Sequence, residues 1–264
     1  MLTQAAASRS KPMSTQSHSA QSFALASQAA RYMIAELTSE GNLLCDQGSP
    51  REALNCFLEA MEILNNSKSA EDGEVAICHY NTARAYAMLD MNDEALEYYS
   101  KALHAAPQLV QAHNNIGMLL NQIGRFAEAS KHFKKAIKLD GLFAPAYYGL
   151  GVALQSMGDN VNATFAYQKA LTFNPELYPA WLNLGLVCYS IESYEVAINC
   201  YQEAIAISSH DAEAFYKLGL AYMAMSDHKK AAAAFGHALK LNPDYEAAQD
   251  AIQYSMYFLQ EKQS

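Results

Sequence analysis

Small residues return along this chain at a fixed interval of 34 positions, and that interval narrows the folds open to it. Gly117, Ala129 and Ala136 are followed in step by Gly151, Ala163 and Ala170, by Gly185, Ala197 and Ala204, and by Gly219, Ala231 and Ala238. A period of this length is that of one supersecondary unit stacked on copies of itself, since so short a unit cannot bury its apolar face alone. Alignment on these positions gives frames 34–67, 76–109, 110–143, 144–177, 178–211 and 212–245, with an inserted loop at 68–75 between the first two.

Each frame predicts two helices. The first carries a large residue, a Leu or Ile, a Gly or Ala, and a second bulky residue at offsets of three, one and three, as in Trp181, Leu184, Gly185 and Cys188 or Phe215, Leu218, Gly219 and Tyr222. Those offsets mark one face of a helix. The second helix repeats Ala, aromatic, Ala at offsets of four and three, as in Ala95, Tyr99, Ala102 or Ala231, Phe235, Ala238. Small residues let paired helices approach closely while the aromatics fill the space between them. Pro107, Pro175 and Pro243 follow the second helix, where it must stop. The turn within the hairpin shows at Gly48, Gly124-Arg125, Gly158-Asp159 and Ser226-Asp227.

This arrangement resembles the tetratricopeptide repeat (TPR) family, whose 34-position pattern runs Trp, Leu-Gly, Tyr, Ala, Phe, Ala, Pro. The likeness covers about 34–245, and the sixth frame matches at nearly every signature site. Departures are Ala83 for glycine in the second frame, Gly141 and Ser209 for proline in the third and fifth, and Glu40 for leucine in the first. The resemblance implies an all-α chain, a right-handed superhelix (α-solenoid) of stacked antiparallel helix hairpins. Residues 246–261 then form a C-terminal capping helix, with Ala248, Ile252 and Leu259 inward and Gln249, Gln253 and Gln260 outward. Phe23, Ala26, Ala30 and Met33 keep helical spacing, so 23–33 is expected to extend the first helix at its N-terminal end. Residues 1–22, rich in Ser, Gln and Ala, read as a disordered tail.

Charge limits the partners. Residues 1–35 hold Arg9, Lys11 and Arg31 and no acid, yet the chain carries a net charge of −9. Phosphate binding needs a basic stripe, and none is present, which argues against nucleic acid. No apolar run reaches the roughly 18 residues of a membrane span, so membrane insertion is not expected. Five cysteines without a CxxC spacing suit a reducing compartment, and Cys45, Cys56, Cys78, Cys188 and Cys200 read as free thiols; Cys45/Cys56 and Cys188/Cys200, each across one hairpin, are the pairs a disulfide would join. The cytoplasm is the expected location, with 1–33 as a transit-like segment for an organelle as the alternative.

No catalytic residue, metal site or cofactor is expected. His79 and His113 share the fourth position of adjacent frames, where they stand for the packing aromatic; no HxxxH or His/Asp/Glu cluster accompanies them. Gly149 and Gly151 lack the third glycine of a dinucleotide loop, and no GxSxG or GxxxxGK[ST] occurs.

The TPR resemblance also implies which side chains face a ligand: first-helix positions 2, 5, 6, 9, 12 and 13 line the concave groove. On that basis Asn81, Arg84, Asn114, Asn115, Met118, Tyr148, Asn183, Leu186, Tyr216 and Lys217 are the candidate peptide-binding residues. In the second to sixth frames only Arg84, Glu213 and Lys217 bring charge to these positions, so the groove is expected to be neutral and rich in amide, Met, Leu and Tyr. Asn81, Asn115 and Asn183 share the sixth position and resemble the asparagine ladder of O-GlcNAc transferases, interrupted by Gly149 and Lys217. The TPR co-chaperones that clamp an acidic tail use three cations where this chain has Thr38, Gln111 and Asn115, although their two asparagines are matched by Asn42 and Asn81, so that clamp is not expected. The implied function is a noncatalytic protein-interaction adaptor that binds a largely neutral or apolar peptide segment. A client chaperone or assembly factor, and a noncatalytic subunit of a multiprotein enzyme complex, are the alternatives.

Overall fold

The structure, a computed structural model, describes residues 14–67 and 71–261. Thirteen α-helices and no strand are found among the described residues. The first helices of the six frames are α1 (Ser14–Asp46), α3 (Asp72–Met88), α5 (Val110–Gln122), α7 (Ala144–Ser156), α9 (Tyr178–Ser190) and α11 (Ala212–Ala224). Their hairpin partners are α2 (Pro50–Asn66), α4 (Asn92–Ala105), α6 (Phe126–Leu139), α8 (Asn160–Phe173), α10 (Tyr194–Ile207) and α12 (His228–Leu241), and α13 (Glu246–Glu261) follows. The chain divides into two compact units, 1–108 with α1–α4 and 109–264 with α5–α13.

One contact recurs within both units. A Cβ built on Gly41 would lie 2.5 Å from the ring of Phe57 in its own hairpin. In the second unit the same holds for Gly117 against Phe133 (2.8 Å), Gly151 against Tyr167 (2.5 Å), Gly185 against Tyr201 (2.6 Å) and Gly219 against Phe235 (2.4 Å). Those aromatic side chains are among the largest fully buried ones in the protein. The ring therefore occupies the volume a methyl group would need, and the eighth position of each frame must be small.

The hairpin turn repeats as faithfully. The fifteenth position of every frame adopts the left-handed conformation: Gly48 (φ 76°), Asp90 (57°), Gly124 (78°), Gly158 (79°), Glu192 (62°) and Ser226 (60°). Glycine takes this conformation without strain, whereas Asp, Glu and Ser accept a steric cost there. Between repeats of the second unit, a donor at the fourth position reaches back to the carbonyl at position 32 of the preceding frame. Tyr147 Oη donates to Gly141 O at 3.2 Å, Trp181 Nε1 to Pro175 O at 2.8 Å and Gln249 Nε2 to Pro243 O at 2.7 Å. Gln249 thus stays exposed while its amide reaches back to the preceding repeat, and α13 keeps the repeat register.

Two expected boundaries change. Helix α1 begins at Ser14 and not at 23, so 14–22 is helical where a tail was expected; residues 1–13 lie outside the described residues. Neither glycine nor proline occurs from Ser14 to Glu40, so nothing local stops the helix there. Of the loop expected at 68–75, residues 68–70 lie outside the described residues and 72–75 form the first turn of α3. Glu71 and Glu74 make a capping box, the Glu71 N–H donating to Glu74 Oε2 at 3.3 Å. Arg31 on α1 pairs with both, at 2.7 Å to Glu71 and 3.3 Å to Glu74, which ties the N-terminus of α3 to α1.

Gly185→Ala should lower stability by about 1–3 kcal/mol, the usual cost of overpacking, because Tyr201 has no room to withdraw. Glu192→Gly, which relieves a left-handed non-glycine residue, should raise it by roughly 0.5–1 kcal/mol. Denaturant midpoints of the two variants should move in opposite directions; movement the same way would refute the packing account.

Candidate functional site

In the second unit the first helices α5, α7, α9, α11 and α13 lie side by side in that order. Their register determines which side chains share one face. Met118 and Leu186, both at the ninth position, are 49% and 38% exposed, so apolar surface is offered to solvent there as the sequence leads one to expect. The amides are less available than expected. Asn114 is buried; its Nδ2 donates to Asn115 Oδ1 at 3.2 Å and reaches Met118 Sδ at 3.6 Å. Asn183 Nδ2 donates to Tyr148 Oη at 3.4 Å, linking α9 to α7, and Asn121 Nδ2 donates to Gly149 O at 3.0 Å, linking α5 to α7. Burial pushes the Tyr148 phenol up from its ordinary value, and the bond from Asn183 opposes that rise.

The asparagine ladder is interrupted for a packing reason. A Cβ on Gly149 would sit 2.3 Å from Phe133, so the sixth position of α7 cannot carry an amide. Asn115 and Asn183 are therefore separated by a helix that offers none. In the first unit Asn81 is buried, and Arg84 Nη1 donates to Asn42 Oδ1 at 3.1 Å. Lys217, half-buried, bonds Glu213 at 3.0 Å one turn away, so the charged pair expected in the groove of the second unit is internally compensated.

At the end of this face lies a cavity of about 790 Å³ walled by Tyr189, Tyr216, Met223, Asp250, Tyr254 and Phe258, from α9, α11 and α13. Its rings are held by neighbours: Tyr216 against Phe235 and Tyr245 at 5.7 and 5.0 Å, and Phe258 stacked on His228 at 4.8 Å and 8°. Burial raises the Tyr189 phenol, as do Tyr194 and Tyr216. Of the ten candidates only Tyr216 lines this cavity. Asp250 and Phe258 were missed because α13 reads as a cap; the signal was there, since they fall at positions 5 and 13 of the continuing register.

The histidines do pack as aromatics. His79 lies 5.8 Å from Tyr98, and His113 meets His132 with 3.3 Å between their Nδ1 atoms. His132, unseen as a partner from sequence, is depressed in pKa by burial and then by His113. Among the described residues no three His, Cys, Asp or Glu side chains converge as metal ligands, and no helix is long and apolar enough to cross a membrane. All five cysteines are free; Cys200 is held protonated by its hydrogen bond to Cys188 and by burial.

Profiles of the tetratricopeptide repeat match residues 34–108 and residues 110–141, 144–177 and 212–245, and a TPR repeat profile matches 185–226. No curated protein matches the sequence significantly. Among solved structures, a MamA protein is 29% identical, with a TM-score of 0.60 over 65% of this chain and 93% of its own. PilF of Pseudomonas aeruginosa shares the fold at 20% identity, TM-score 0.73, over 84% and 97%. YrrB, described as a TPR protein with an unusual peptide-binding site, shares it at 23% identity, TM-score 0.61, over 75% and 97%.

Because the folded-state pKa of His132 lies below its unfolded value of about 6.5, the neutral ring contributes stability that is present above that pH and lost as pH falls toward the folded value. The melting temperature should drop between about pH 7 and pH 5, and His132→Phe should flatten the drop. An unchanged slope in that variant would contradict the assignment.

Proposed function

Since the chain belongs to the tetratricopeptide repeat family, a protein-interaction scaffold, we propose that it is a noncatalytic adaptor that binds a largely neutral or apolar peptide segment of a partner along the first-helix face. The observation that carries this reading is the exposure of Met118 and Leu186 at one repeat position on a face where Lys217 and Glu213 neutralise each other. Apolar side chains that the hairpins do not bury are available to a partner's side chains, and half-exposed Asn115 supplies an amide beside them for a bound backbone. The residues that define the family are the packing residues, so they specify the scaffold and leave the ligand to these others.

Affinity capture with the wild type beside Met118→Asp/Leu186→Asp tests the reading. Each substitution places a charge in an apolar contact, and bound partner should fall at least about tenfold while the helical circular dichroism is unchanged. Retention of every partner by the folded variant would overturn it.

A further inference from the structure

The cavity at the end of the first-helix face differs in chemistry from the rest of that face. Tyr189, Tyr216, Tyr254 and Phe258 surround it with π faces, and the lining carries one carboxylate, Asp250, and neither lysine nor arginine. Among the described residues Asp250 has no ion-pair partner, unlike Glu213 on the adjacent helix, which holds Lys217 at 3.0 Å. The rings are fixed in advance: Tyr216 by Phe235 and Tyr245, Tyr254 by Phe258 at 4.8 Å, and Phe258 by the stacked ring of His228. A preorganised aromatic wall attracts a cation through its ring quadrupoles, and guanidinium suits it best because it stacks flat and offers paired N–H donors to a carboxylate.

We propose that this cavity takes the arginine side chain of a peptide segment lying along the first-helix face, its guanidinium against Tyr216 and Tyr254 and paired with Asp250. The inference rests on the peptide-binding reading above and specifies it: the partner segment is neutral or apolar where it crosses α5 to α9 and carries a cation where it reaches α13. The cavity volume, about 790 Å³, accommodates such a side chain together with flanking backbone. The chain's net charge of −9 adds a favourable long-range field for a basic segment.

The test is a titration of the isotope-labelled full chain, followed by nuclear magnetic resonance, with a short blocked peptide of alanines and leucines around a central arginine, and with its twin bearing citrulline, the neutral isostere. The arginine peptide should shift the ring resonances of Tyr216, Tyr254 and Phe258 and bind about tenfold tighter than the citrulline twin, the size of one charge-assisted contact in a partly desolvated site. Asp250→Asn should erase that difference, and so should Tyr254→Leu. Asp250 is exposed, so its replacement leaves the packing of α13 in place. Equal binding of the two peptides to the wild type, or a difference that persists in Asp250→Asn, would overturn the proposal. If both peptides shift Asn115, Tyr148 and Asn183 alike and spare the cavity, the peptide-binding reading stands and the cation inference fails. If neither shifts any first-helix residue, both fail.

Discussion

A ring pressed onto a glycine is the contact from which the rest of each unit follows. Phe133, Tyr167, Tyr201 and Phe235 each occupy the volume that a side chain on Gly117, Gly151, Gly185 or Gly219 would take. With the helices drawn that close, the flanking positions of the second helix must be small as well, and Ala163, Ala170, Ala197 and Ala204 are all fully buried. Burying one aromatic and two alanines per hairpin commits most of the repeating residues of the sequence to packing. What can be spared for a ligand is decided by subtraction, at first-helix positions that the ring does not touch.

The same contact reaches beyond its own hairpin. Phe133 presses on Gly117 within the third frame and on Gly149 in the fourth, so one ring sets the spacing of α5 and α7 and removes a side chain from the sixth position of α7. Packing and the amide row therefore compete at Gly149. An asparagine there would complete the amide row and would need the space Phe133 occupies. Adjacent frames tie themselves together again where Asn121 donates to the carbonyl of Gly149, a bond open to it because no side chain stands in the way.

The period made the fold legible, down to the turn residues, because packing constraints act at fixed intervals and leave fixed residues behind. Gly48, Gly124, Gly158 and Ser226-Asp227 mark the left-handed turn in the sequence, while Asp90 and Glu192 occupy the same place unread. The start of α1 and the first turn of α3 were hidden for a different reason. Both are local, and the Glu71/Glu74 capping box with its Arg31 partner belongs to no repeat. The candidate site was legible as a face and not as chemistry. Position in a frame gives the direction of Asn114 or Asn183; it does not reveal that Met118 and Tyr148 are near enough to engage them.

Helix α13 carries the register on with a different residue at the packing position. Its fourth position still reaches back to Pro243, and its third and tenth, Ala248 and Ser255, are fully buried like Ala146 and Ala153 or Ala214 and Ala221. Its eighth position, small in every preceding frame, is Gln253 and exposed. Among the described residues α13 packs on α12 and α11, and its fifth, ninth and thirteenth positions are Asp250, Tyr254 and Phe258. The large ring of Phe258 takes support from the preceding helix, stacked on His228 of α12. A helix that keeps the register and takes its ring support from α12 acquires a walled cavity as a consequence of geometry, with the carboxylate of Asp250 at its wall.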